Sequence, residues 1–237
     1  MRNPVANRVT SAPAKSLVMI LSTGVLASPA SICYFSPMIL EQLGIALGLA
    51  SLAGLNLYLT TFVVGLAVRF DWIHLASKYE SMDVLGHPWV LGVSGGLMLI
   101  EFFADKVPWL DSAWDAVHSL IRPAGGIFLG LAAMGNLDPV ATVIAGLLAG
   151  TAALSTHGTK SGVRAFLNLS PEPVSNTTAS VAEDGMVLGG LGLIALAPAV
   201  AFFVFLLVVI FCAAAAVWLW RRAANIWLRR KQIAQHS

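Results

Sequence analysis

Charge is scarce in this chain. Only 11% of its 237 residues are charged, 14 basic and 12 acidic, in a chain that is 57% apolar. Its mean hydropathy is +0.80. A soluble domain carries about a quarter charged residues. The shortage excludes a disordered chain and argues against an ordinary soluble globule. The net charge of +2 comes mostly from one terminal cluster, so a nucleic-acid binder driven by charge is excluded too. Cysteine is scarcer still. Cys33 and Cys212 lie far apart in apolar runs, without metal-ligand spacing, and read as small hydrophobes in helices. No P-loop, dinucleotide fingerprint, haem motif or zinc motif is present, and no cofactor is expected.

Long apolar runs take the place of charge. A spanning helix needs about 20 apolar residues, which leaves room for five or six spans and little else. The expected fold is all-α: a polytopic transmembrane helix bundle of five or six hydrophobic segments, with broken or re-entrant helices in two loosely repeated halves. Three parts are expected. Residues 1–37 form an N-terminal extension, 38–220 the membrane domain and 221–237 a basic tail. The extension has Arg2, Arg8 and Lys15 before the apolar run Leu17–Phe35. It reads as a signal peptide cleaved near Ser28 and Ala30, as a signal anchor, or as a stretch preceding a true start at Met38.

Within the membrane domain the apolar runs are 43–68, 88–104, 123–134 (two-thirds of a span), 140–156 and 186–220. The last is too long for one straight span, and Pro198 is expected to kink or split it. The Pro/Ser/Asn-rich stretch 169–184 reads as a loop. Arg221, Arg222, Arg229, Arg230 and Lys231, interleaved with Trp218, Trp220 and Trp227, put the C-terminus in the cytoplasm by the positive-inside rule. Counting spans backwards puts 171–184 outside, and the turn 136–138 and the loop 69–87 inside. Small residues recur at GxxxG spacing at Gly44/Gly48, Gly92/Gly96, Gly126/Gly130, Gly146/Gly150 and Gly185/Gly189, which predicts close helix packing and permits homo-oligomers.

The few charges are not scattered. Ten of the 26 fall at 101–122, 160–164 and 183–184. At 100° per residue, Asp111, Asp115, His118 and Arg122 lie within about 60° of one another, a single polar stripe. Glu101 and Asp105, four apart, share a face of the preceding helix, with Lys106 beside them. Pro108 separates the two segments, and Pro123 is expected to end or kink the second. His157, Lys160 and Arg164 form another stripe of about 60°. Glu183 and Asp184 precede the last span, and Asn56 is a polar residue inside the first.

These residues admit several uses. Carboxylates with His118 can relay protons. Arg122, Lys160 and Arg164 can hold an anion or lipid phosphate. Glu101, Asp105, Asp115 and His118 could ligate a divalent cation. The stripes could also lie in the headgroup layer or pair with one another. Gly92-Val-Ser94-Gly95-Gly96 matches a G-x-S-x-G pattern but lacks the strand–turn–helix a nucleophile elbow needs, so it reads as helix packing. Asn168-Leu-Ser170 and Asn176-Thr-Thr178 fit the glycosylation pattern, which matters only in a eukaryotic secretory context.

The stretches EFFADKVPWLDSAWDAVHSLIRPAGG (101–126), THGTKSGVRAFLNLSPEP (156–173), AED (182–184) and GLASLAGLNLYL (48–59) resemble a family of prokaryotic membrane proteins known as domain of unknown function 4126. The resemblance covers roughly residues 40–220. It implies a bacterial-type inner (plasma) membrane protein whose characteristic polar residues match Glu101, Asp105, Lys106, Asp111, Asp115, His118, Arg122, His157, Lys160 and Arg164. It carries no activity.

The leading functional expectation is a transporter-like protein for a small anionic solute or lipid-phosphate headgroup, coupled to protons, rather than an enzyme. The alternatives are a structural or scaffolding membrane protein with internal ion pairs, and a metal-dependent enzyme acting on lipid phosphates.

Overall fold

The computed structural model describes residues 37–72, 80–167 and 173–235. The readings of residues 1–36, including the cleavage site and Cys33, lie outside the described residues, as does the Asn168 glycosylation pattern. Among the described residues seven α-helices follow one another: α1 (Pro37–Leu55), α2 (Leu57–Arg69), α3 (Pro88–Ala104), α4 (Pro108–Met134), α5 (Pro139–Leu167), α6 (Pro173–Leu196) and α7 (Pro198–Gln235), with a 3₁₀ turn at Glu80–Gly86 before α3. Each of these seven except α2 opens on proline. Proline's missing N–H costs nothing there and its fixed φ suits a first helical residue.

The fold is a helical membrane bundle, as expected. Trp109–Met134, Pro139–Ala165, Val174–Leu196 and Pro198–Trp218 are long and apolar enough to cross a membrane. Three apolar helices, Ile39–Leu55, Leu57–Arg69 and Pro88–Ala104, are shorter. Polarity is distributed inside out. Leu120, Leu196 and Phe211 are among the exposed large hydrophobics, whereas Arg122, Arg164, Glu101 and His157 are among the largest fully buried side chains. Such a surface suits lipid rather than water.

Several segment boundaries differ from those expected. The run 43–68 is not one span. It breaks at Asn56, and α2 folds back along α1, because Val63, Val64 and Ala67 line the same small cavity as Ile45 and Leu49. A straight helix would hold Ile45 and Val64 about 28 Å apart. The stretch 123–134 is not a partial span but the second half of α4, and Pro123 lies inside that helix without ending it. Proline is tolerated in membrane helices where neighbours re-satisfy the freed carbonyl. The expected loop 169–184 is helical from Pro173 onward.

Pro198 does split the last apolar run. The ring of Phe205 lies against Gly190, although fifteen residues of straight helix would separate them by about 22 Å. The neighbours along α1 give the directions. Gly190 meets Leu52, Ile194 meets Gly48, Pro198 meets Gly44 and Phe205 meets Gly48. Thus α6 descends along α1 and α7 returns. The C-terminal tail therefore lies at the same bundle end as the start of α6 and the turn 105–107, and the turn 135–138 lies at the other. That corrects the expected arrangement, in which the tail and 171–184 fell on opposite sides. The reason is the extra reversal at Pro198.

Candidate functional site

The site is built around the break in α1. Asn56 adopts an extended backbone, φ −147° and ψ 99°, and its side chain accepts from the Leu59 N–H at 2.9 Å, capping α2. Ending α1 there leaves the Gly54 and Leu55 carbonyls without their helical partners. Cations from other helices supply donors. Arg122 Nη1 donates to the Gly54 oxygen at 3.3 Å and Lys160 Nζ to the Leu55 oxygen at 3.2 Å. A helix C-terminus is also where the macrodipole favours positive charge. Thr156 Oγ1 donates to the Ser51 oxygen at 2.8 Å, and Asn56 Nδ2 to Asp184 Oδ1 at 3.0 Å.

Around these anchors the two expected stripes meet each other directly. Arg122 binds Glu101 at 2.5 Å and lies 3.5 Å from Asp115. Lys160 Nζ lies 3.2 Å from Glu183, 3.3 Å from Asp105 and 3.7 Å from Glu101. Arg164 reaches Glu183 at 2.7 Å, Asp105 at 3.5 Å and Asp111 at 3.5 Å. Arg164 Nη1 and Asn176 Nδ2 also donate to the Asp105 carbonyl, at 3.0 and 3.1 Å, which ties down the turn between α3 and α4. From Asp111 to Arg122 the stripe runs about 16 Å along α4, from the helix start to its middle.

The two histidines have assignable tautomers. Arg122 can only donate, so its 3.0 Å contact makes His157 Nδ1 an acceptor and puts the ring proton on Nε2. That proton faces Ser119 Oγ at 3.2 Å, which itself donates to the Asp115 carbonyl at 3.0 Å. Ser161 Oγ donates to Asp115 Oδ2 at 2.9 Å. His118 Nδ1 donates to the Trp114 carbonyl at 2.8 Å, so in the neutral ring Nε2 accepts from the Tyr58 hydroxyl at 2.9 Å. Tyr58 also lines an apolar groove between α2, α3 and α4.

Among the described residues, five buried carboxylates (Glu101, Asp105, Asp111, Asp115, Glu183) surround three buried cations (Arg122, Lys160, Arg164). Glu101 Oε2 and Asp105 Oδ1 are buried without a hydrogen-bond donor.

Of the residues singled out in the sequence, Asn56, Glu101, Asp105, Asp111, Asp115, His118, Arg122, His157, Lys160, Arg164, Glu183 and Asp184 come together. Lys106 is not among the ion pairs of the cluster. Its ammonium bonds the Phe102 carbonyl at 2.7 Å and sits 3.0 Å from the centre of the Phe102 ring. Burial lowers its pKa from the ordinary lysine value. Sequence reasoning missed Tyr58, Ser119, Thr156 and Ser161 as members, and read Asn176 only as a glycosylation pattern although it is buried against Arg164. Ser94 lies within α3 and donates to the Val90 carbonyl at 2.7 Å, as a helical serine does. No three His, Cys, Asp or Glu side chains among the described residues are placed to hold a metal ion.

The family model described as Domain of unknown function (DUF4126) matches residues 43–222, a stretch that holds the whole cluster. No curated protein and no solved structure matches the chain.

Proposed function

The chain belongs to the DUF4126 family, and on that premise we propose that it is a membrane transport protein whose buried cluster binds a cation, the proton in the simplest case. The excess of five carboxylates over three cations among the described buried residues carries this reading. A low-dielectric interior does not tolerate uncompensated negative charge, so the cluster must take up protons or a cation. The helix break adds to the case. Discontinuous helices whose free carbonyls meet ionisable groups near mid-membrane are a recurrent way to bind coupling ions.

The anionic solute or lipid phosphate expected from the sequence is less well supported. Each of Arg122, Lys160 and Arg164 is already held by carboxylates. We place the tail in the cytoplasm by the positive-inside rule. The Asp105–Arg164 end of the cluster then faces the cytoplasm too, and the membrane, by family resemblance, is a bacterial inner membrane.

Reconstitution tests the reading. Liposomes carrying the protein, loaded with a pH-sensitive dye, are given a pH gradient and then sodium or potassium salt. Wild type should dissipate the gradient several-fold faster than empty liposomes, and Glu101→Gln should approach the empty rate. A wild type that matches empty liposomes under every alkali cation overturns it.

A second reading, a structural ionic core, is favoured by the direct contact of each cation with two or more carboxylates. It predicts that Glu101→Gln lowers the melting temperature while neither protein carries flux.

A further inference from the structure

The cations inside the bundle are paired; those at the end of α7 are not. Arg122 and Arg164 each meet two or more carboxylates. After Asp184 the chain has no acidic residue, yet it carries Arg221, Arg222, Arg229, Arg230 and Lys231. Arg221 and Arg222 are exposed, and among the described residues neither has a carboxylate partner.

Helix geometry sets their depth. α7 continues unbroken to Gln235, but its apolar stretch is the 21 residues Pro198–Trp218. At 1.5 Å per residue that stretch is about 31 Å long, which matches a hydrocarbon core of about 30 Å. Trp218 therefore stands at the boundary, where an indole is favoured. Arg221 and Arg222 follow about 5–6 Å further along the axis, inside a headgroup layer of about 5–8 Å per side. Arg229, Arg230 and Lys231 start about 17 Å beyond Trp218, past that layer. Register sets the direction. Leu207, Phe211, Trp218 and Arg222 fall within about 60° of one another, and the three apolar ones are exposed, so this is a lipid-facing side of α7. Arg221 lies about 60° to the other side of Trp218. The two arginines thus straddle the line of exposed apolar residues. The Arg222 guanidinium lies 5.2 Å from the centre of the Trp218 ring, a contact that draws it back toward the membrane.

We propose that Trp218, Arg221 and Arg222 form a binding site for an anionic phospholipid, whose headgroup phosphate the two guanidiniums hold and whose acyl chains run along Phe211 and Leu207. Charge complementarity selects this partner. A guanidinium fork matches the oxygens of a phosphate. Every phospholipid carries a phosphate, but in a zwitterionic lipid the headgroup's own cation competes with the arginines. A lipid of net negative charge, such as phosphatidylglycerol, has no such competitor. The apolar line below the arginines favours a lipid over a soluble anion, which would gain nothing from it. The site is separate from the buried cluster and does not depend on the transport reading.

The test uses the full chain in phosphatidylcholine vesicles doped with a brominated lipid, whose bromines quench a tryptophan they touch. The difference between wild type and Trp218→Phe isolates the Trp218 signal. Brominated phosphatidylglycerol should quench Trp218 as well as a roughly tenfold higher fraction of brominated phosphatidylcholine does, and less so as salt is raised. The double variant Arg221→Gln/Arg222→Gln should lose that preference. Arg221→Lys/Arg222→Lys should keep part of it, since the charge stays and the fork goes. The triple variant Arg229→Gln/Arg230→Gln/Lys231→Gln should keep more than half.

Equal quenching by the two lipids in wild type overturns the site, as does a preference that survives in the Arg221→Gln/Arg222→Gln variant or vanishes only in the triple variant. Soluble competitors separate the sources of phosphate. Millimolar glycerol phosphate, or a short RNA at physiological salt, should leave the quenching by brominated phosphatidylglycerol unchanged. Displacement by either makes a soluble phosphate or a nucleic acid the partner and overturns the lipid assignment. No flux enters the readout, so its failure leaves transport standing and the failure of transport leaves the lipid site standing.

Discussion

The two ends of this bundle are packed by opposite means. At the end holding the turn 105–107, helices are joined by charge: Arg122, Lys160 and Arg164 link α1, α3, α4 and α6 through carboxylates and carbonyls. Toward the other end they are joined by absence of side chain. Gly126 and Gly130 of α4 lie against Ala153 and Ala149 of α5, Gly44 of α1 against the Pro198 carbonyl, and Gly54, at the seam, against Thr156 and Ala153. Lipid offers no hydrophobic driving force between helices, so close backbone approach and polar contacts are the two available adhesives. The chain keeps them apart. The ionic half contains groups that can change charge; the glycine half can only fit or fail to fit.

The largest loss is expected where the ionic half is deprived of one partner. Arg122→Met removes the closest cation from Glu101 and Asp115 and the donor to the Gly54 carbonyl, and should cost about 3–5 kcal/mol, read as a collapse of the melting temperature in detergent. Adding Glu101→Gln to that variant should recover part of the loss. Next comes the glycine half. Gly126→Ala or Gly54→Ala forces a methyl into Ala153 or Thr156 and should cost about 1–3 kcal/mol by the same measurement. Asn56→Ala removes the α2 cap and the Asp184 contact, for about 1–2 kcal/mol. The smallest effects test the boundaries. Gly92→Ala and Gly96→Ala, which meet nothing in the fold, and Lys106→Ala should each stay within about 0.5 kcal/mol. A large loss at Gly92 or Gly96 would point to a second protein surface on α3.

Much of this was legible in the sequence. The stripes at 111–122 and 157–164 follow from helical period alone, and their burial from the cost of charge in lipid. Both GxxxG pairs of α4 and α5, with Gly44/Gly48, pack as the spacing suggests, but Gly92/Gly96 and Gly185/Gly189 face open space. Spacing shows that two glycines share a helix face, not that a neighbour exists. The break at Asn56 was hidden for a different reason. The local signals, Gly54 and an Asn56 able to cap α2, are weak inside so long an apolar run, and the break also depends on side chains 68 and 105 residues away along the chain. The error at 169–184 is instructive as well. Asn176, Ser180 and Glu183 read as loop polarity, yet they are spaced i, i+4, i+7 and all buried. They form a third polar stripe, short enough to pass for a linker.

The hairpin of α1 and α2 has a consequence for how the molecule is made. A ribosome delivers residues 54–56 before Arg122, and long before Lys160. Until those arrive, the open carbonyls have neither a cation nor, inside lipid, any water. The hairpin is therefore expected to settle late, after helices that follow it in the gene, with assembly running against the order of synthesis. In nascent chains bearing Leu55→Cys, a water-soluble thiol reagent should label position 55 when translation is arrested after α3. It should fail to do so once α5 is complete.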